Sequence, residues 1–264
     1  MSADCCFSTL LSAAQRGWLA CDGDEALLSL ALPIEGIDPL LALPQLAEQE
    51  SLQVLWDSAP GLCLAAAGPC QELELAGSRR FEQAQRFADL CLSRLHDTAA
   101  DSPAHARPRV LLRFRFFDQV SERRRSEAVV PSVQAVLPRW QLSRQGRRGW
   151  LRLNGVVSSA ADCRELAEQL WLKHEQLLKT PTTPTPLKPQ ALVAATEPET
   201  WRQRYAAALT RGIDLVNSGD LHKLVLAVRH RIVLADTFDP LPLLKRLRRQ
   251  QAGSCRFLWQ RHAG

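Results

Sequence analysis

The sequence predicts an α+β fold, mainly antiparallel. Three observations carry this reading. Short apolar runs bounded by turn residues arrive in meandering sets, stretches of helical period interrupt them at irregular intervals, and 46% of the 264 residues are hydrophobic, enough to build a core.

The first hundred residues supply four candidate strands: Gly17-Trp18-Leu19-Ala20, Leu52 to Trp56, Leu62 to Ala67 and Leu73 to Ala76. From Arg79 to Leu95 the residues Phe81, Ala84, Phe87, Ala88, Cys91, Leu92 and Leu95 recur at helical spacing, predicting an amphipathic helix that packs one face on the sheet, with Ser78 as N-cap. A proline-containing connection from Thr98 to Pro108 leads to a strand over Val110 to Phe117, then to strands around Val129 to Leu142 and Gly149 to Val157. Asp162 opens a helix to about Leu178 with Leu166, Leu170 and Leu177 on its apolar side. The segment 180–190, rich in threonine and proline, forms neither helix nor central strand and reads as an extended linker, the first site for proteolysis. Beyond it come a helix over Glu199 to Asn217 ended by Ser218-Gly219, a long apolar strand from Gly219 to Leu234, a helix from Pro240 to Gln250 and a last strand from Cys255. The domains are thus an α+β portion over 1–179, the linker, and a second portion over 191–264.

Composition excludes several classes of function. The eight cysteines show no Cys-x-x-Cys or metal-ligand spacing and read as reduced thiols. The N-terminus lacks a basic leader, and no apolar stretch approaches the roughly 20 residues that span a bilayer, so the expected compartment is cytoplasmic, with no membrane partner. A net charge of +5 is modest, and Arg123-Arg124-Arg125, Arg147-Arg148 and Lys245 to Arg249 are basic clusters without aromatic interleaving, so no nucleic-acid partner is expected. Phosphate-cradling glycine loops and a Gly-x-Ser-x-Gly elbow are missing, which disfavours nucleotide chemistry and serine hydrolysis. None of the six histidines forms a His-x-x-x-His pair, so cofactor and metal ligands are read as none in this chain.

Lys223 is the residue to explain. In a strand, Leu221, Lys223, Val225 and Ala227 share one face, while His222, Leu224, Leu226, Val228 and His230 form the greasier other face. A lysine in a strand is most often a solvent-facing or edge charge. If its face is covered, desolvation lowers its pKa toward the range of a general base that deprotonates water.

The run Lys223-Leu224-Val225-Leu226-Ala227, preceded by Gly219-Asp220-Leu221-His222, resembles the lysine-bearing strand of the chorismate-utilising enzymes. Trp201, Tyr205, Ile213 and Gly219 resemble the helix before that strand. Upstream, Ala76 to Phe81, Phe114 to Asp118, Leu137 to Trp140 and Leu153-Asn154 resemble isochorismate synthases of the cyanobacterial type, in the expected order. The family's arginine follows directly after the alanine position, where this chain has Val228 and places Arg229 one residue later, so the arginine is not carried over.

The resemblance implies a two-sheet sandwich with flanking helices and the active site between the layers, 191–264 being the start of its chorismate-binding core. It implies Lys223 as the general base that takes a proton from water attacking C2 of chorismate, with departure of the C4 hydroxyl. Anthranilate-forming relatives use ammonia and lack the lysine, so Lys223 favours a water-adding isomerase serving naphthoquinone synthesis. The family's Gly-x-Ser-Pro-Glu segment, glutamate acid and Mg2+ ligands are not found here, and the chain is expected to be the first half of that fold, a fragment inactive alone. A complementary C-terminal half is the expected partner beside chorismate. The alternative is a non-catalytic remnant or association module of the same fold.

Overall fold

The computed structural model describes residues 3–22, 24–58, 61–117, 131–179, 192–195, 198–227, 232–234 and 238–261. The expected linker 180–190, the start of the strand expected from Val129, and the side chains of Arg123 to Arg125, Val228, Arg229 and His230 lie outside them. The chain forms two compact units, Met1–Pro184 with Leu244–Gly264, and Thr185–Leu243.

The first unit opens with helix α1 (Ala3–Leu19), where the expectation of a strand over Gly17 to Ala20 fails. Tertiary packing overrides the short apolar run: Leu10 and Ala14, four residues apart on one helix face, are buried, and α1 lies against α4 (Ala160–Lys179). Strand β1 (Ala26–Glu35) follows, then the short helix α2 (Pro39–Leu46), which Asp38 caps by accepting the Leu40 N–H at 2.9 Å while Pro39 opens the first turn. β2 (Leu52–Asp57) matches the sequence reading, and the two strands expected after it are one, β3 (Leu62–Leu75), with its register shifted between Pro69 and Gln71.

Helix α3 (Arg80–Arg94) keeps its expected span but not its expected burial. Phe81 and Leu92 are exposed, Ala84 and Cys91 are buried, and no side chain caps its start. Phe81 instead stacks on Phe114, with ring centroids 4.7 Å apart. The remaining strands of this unit are β4 (Leu95–Asp97), β5 (Leu111–Phe114), β6 (Val133–Gln145) and β7 (Arg148–Val157). Leu166, Leu170 and Leu177 of α4 are buried as expected. Its first turn is closed by reciprocal bonds, with the Asp162 N–H donating to Ser159 and the Asp162 carboxylate accepting from Ser158.

These strands, with β10 (Arg256–Arg261), form one eight-stranded sheet in the order β10-β2-β3-β6-β7-β1-β4, with β5 also paired to β6. Every pairing is antiparallel except β1 with β4. Register sets the two faces. Leu28, Leu30, Leu151 and Leu153 point to the side where α1 and α4 pack, and Gly155 is small there because a Cβ would meet Leu166 at 2.6 Å. The opposite side of the same strands carries Ser29, Gln141, Arg152 and Asn154, all buried.

The second unit holds β8 (Leu192–Ala195) paired with β9 (Ile232–Leu234), helix α5 (Pro198–Asn217), and the first residues of α6 (Pro240–Gln250). The described residues make one large sheet and a separate two-stranded ribbon, in which β8 and β9, four and three residues long, pair with each other. From the C-terminal part, β10 pairs along β2 from Arg256↔Asp57 to Arg261↔Leu52 and belongs to the first unit.

An ion cluster holds that C-terminal segment. Asp57, fully buried, accepts from Arg248 Nε at 2.7 Å and Arg256 Nε at 3.0 Å, while Asp38 accepts from Arg248 Nη1 at 2.6 Å and Arg144 Nη2 at 3.2 Å. Burial acts to lower the Arg248 pKa, but its hydrogen bonds to Asp38 and Asp57 outweigh that and the net direction is up.

Candidate functional site

The segment that carries Lys223 starts at the end of α5. Gly219 adopts φ 83°, and the Leu221 N–H donates to the Leu215 carbonyl at 3.0 Å, which folds the chain back over the helix. Residues 221–227 then run without regular secondary structure, so the long strand expected from Gly219 to Leu234 is reduced, among described residues, to Ile232–Leu234.

From 223 to 226 the predicted alternation of faces is kept, whereas Leu221 is half-buried and His222 exposed. Leu224 and Leu226 turn toward α5 and, with Tyr205, Leu209, Ile213 and Val216, line a groove of about 340 Å³. Val225 on the other face is 76% exposed. Gly212 lets the segment approach, since a Cβ there would meet Leu224 Cδ2 at 2.4 Å. Positions 205, 209, 212, 213 and 216 follow the i, i+4, i+7 spacing of one helix face, a signal present in the sequence that reading Tyr205 and Ile213 alone did not extend into a groove.

Lys223 lies on the uncovered face and is exposed. The desolvation that the base argument required is therefore not supplied by the described residues, because no strand among them pairs with 221–227. Beside it, Asp220 accepts from Ser218 Oγ at 2.8 Å, and His222 is exposed. No group of three or more His, Cys, Asp or Glu side chains among the described residues is arranged to hold a metal ion. The described side chains thus do not fit a Mg2+ site.

Sequence reasoning also passed over the buried polar face of the large sheet. Arg152, with no exposed surface, donates to Asp97 at 2.6 Å, Ser29 Oγ at 2.7 Å, the Ala106 carbonyl at 3.0 Å and Ser102 at 3.4 Å. Burial lowers its pKa, and the Asp97 carboxylate opposes that shift. Asn154 donates to the Pro138 carbonyl of β6 at 2.7 Å, and Gln141 donates to that of Arg107 at 2.9 Å, so Gln141 and Arg152 together pin the connection between β4 and β5 against the sheet. Apart from Gln141 Oε1, which has no partner among the described residues, these groups satisfy one another inside the fold, which is a structural role.

The family model described as chorismate binding enzyme matches residues 12–264. The chain belongs to the chorismate-binding enzymes. A comparison with curated protein sequences finds no match. Among solved structures, this chorismate-binding enzyme is similar to MenF, the menaquinone-specific isochorismate synthase from Escherichia coli, with a TM-score of 0.53 and 16% sequence identity. The match covers 93% of this chain and 51% of that one, so the chain spans about half the length of the relative, and the likeness is one of fold. The mixed architecture, with a large, mostly antiparallel sheet and helices packed on it, agrees with that likeness. Among the described residues, no helix is long and apolar enough to cross a membrane.

Proposed function

We propose that this chorismate-binding enzyme belongs with the isochorismate-forming members of its family, and that Lys223 is the general base for addition of water at C2 of chorismate with loss of the C4 hydroxyl. The observation that carries the reading is the family match through residues 12–264, which includes the lysine segment. Lys223 sits where a base is needed only once its face is covered, so the reading includes a second β-layer, completing the two-sheet sandwich, supplied by further polypeptide of the same fold. That layer brings the proton donor for the leaving hydroxyl and the carboxylates for Mg2+, which the described residues do not hold, and no step here runs through the metal. What this chain contributes is the amine and, from Leu224 and Leu226 against α5, the packing that fixes the backbone on either side of it. The cytoplasm is the compartment this reading assigns.

A second reading, a non-catalytic association module of the same fold, is favoured for the chain alone by the exposure of Lys223. Loss of a positioned acid lowers a rate by about 10² to 10⁴, so the isolated chain is expected to show no measurable turnover of chorismate with Mg2+. Mixing it with a polypeptide that carries the second half of the fold separates the two readings. Restored isochorismate formation that Lys223→Ala abolishes supports the enzyme, whereas restored activity indifferent to Lys223→Ala removes the lysine from the chemistry. A mixture that associates without turnover leaves the module.

A further inference from the structure

A concavity of about 800 Å³ lies on the β10, β2 and β3 end of the sheet, on the face opposite α1 and α4, with Leu92 of α3 at its edge. Strand alternation builds one wall. Trp56 faces Phe257 across the β2–β10 pairing, and Trp259 faces Val54 two residues on, so two indoles and a phenyl share one surface. The opposing wall is the segment from Pro108 to Arg113. Phe257 is 71% exposed and Trp56 48%, whereas Leu111 and Trp259 pack on a buried floor that includes Val54 and Ala66.

The polar character of this space is one-sided. Among the described residues its charged lining residues are Arg109 and Arg113, with no carboxylate. Both guanidinium groups are oriented from behind, Arg109 by the Ala104 carbonyl at 3.0 Å and Arg113 by Gln134 Oε1 at 2.9 Å. One further donor, Trp259 Nε1, and the Nε of the same Arg109 guanidinium are buried with no hydrogen-bond partner among the described residues. A buried donor without an acceptor costs about 1–3 kcal/mol, so such atoms mark a place where an acceptor belongs. Volume, apolar walls and a few convergent polar groups are the features of a small-molecule pocket.

We propose that this groove binds a planar, apolar ring bearing a single carboxylate, with the ring between Phe257 and the two indoles and the carboxylate toward Arg109 and Arg113. A neutral ring leaves the donors unsatisfied, and a cation meets two guanidinium groups; a carboxylate accepts from a guanidinium fork and offers both oxygens to N–H donors. The site lies wholly in the first unit and does not depend on the reading of Lys223.

Calorimetric titration of the whole chain with 2-naphthoate and with its neutral counterpart 2-naphthamide tests it. The acid is expected to bind at least about tenfold more tightly than the amide, a preference that salt weakens. Arg109→Gln with Arg113→Gln abolishes the preference, and Phe257→Asp abolishes binding of both compounds; neither set of side chains is needed for the core, and a melting temperature close to that of the parent confirms folding. Equal affinity for acid and amide overturns the proposal, as does the absence of binding at millimolar ligand. A chain that self-associates until Phe257→Asp renders it monomeric also overturns it, because the groove then receives a polypeptide.

Discussion

Asp57 has a single carboxylate shared by two arginines that arrive from the far end of the chain, 191 and 199 residues away. Removing the acid leaves Arg256 buried without a carboxylate and Arg248 with Asp38 alone, and breaking a buried pair from one side costs about 3–5 kcal/mol. Asp57→Ala is therefore expected to lose stability on that order in chemical denaturation, with Asp57→Asn losing less because its amide oxygen still accepts. Cys63 beside this cluster has its thiol pushed up from 9.0 to about 12, first by burial and then by Asp57. Between those values the unfolded thiol has ionised and the folded one has not, so the unfolded state binds fewer protons and stability falls as pH rises through that window. Melting temperatures from pH 9 upward should drop more steeply in the parent than in Cys63→Ala. Neither residue announced itself in the sequence: Asp57 is one acid at the end of an apolar strand, and its partners are known only once β10 lies beside β2.

At the scale of elements, the well-read segments are those whose burial follows from their own period. Helix α4 buries the leucines that its spacing nominates, α5 starts one residue before the expected Glu199 and ends at the expected Asn217, and α6 spans the expected Pro240 to Gln250. Helix α3 had an equally clear period, yet Phe81 and Leu92 are exposed, because periodicity describes a helix and not the surface that meets it. The Lys223 segment shows the same division. Its alternation correctly separated Leu224 and Leu226 from Lys223 and Val225, while the strand and the cover required pairing partners that no local pattern specifies. Gly212 is the test of how that segment is held. Gly212→Ala favours the helix by about 1 kcal/mol but pushes on Leu224, so circular dichroism should show α5 retained while trypsin cleaves after Lys223 faster than in the parent.

For the whole molecule, the C-terminal residues Leu244–Gly264 belong to a unit that is otherwise the first 184 residues, held by the β10–β2 ladder and the Arg248 and Arg256 ion pairs. A protease nick within the proline- and threonine-rich 180–190 is thus expected to leave both fragments eluting together on size exclusion, and the same nick in Asp57→Ala should let them part. By itself, the sequence determined the mixed, mainly antiparallel class, the approximate spans of α3, α4, α5, α6, β2 and β7, and membership in a family, since these rest on residue order, local period and short motifs. Only the tertiary structure decided that the first strand is a helix, that the last strand closes onto the first unit, that Arg152 is buried and that Lys223 is open to solvent. The physical reason is common to all four: burial is a property of two surfaces, and here the second surface is supplied by residues far away in the chain or, for Lys223, by none of the described ones.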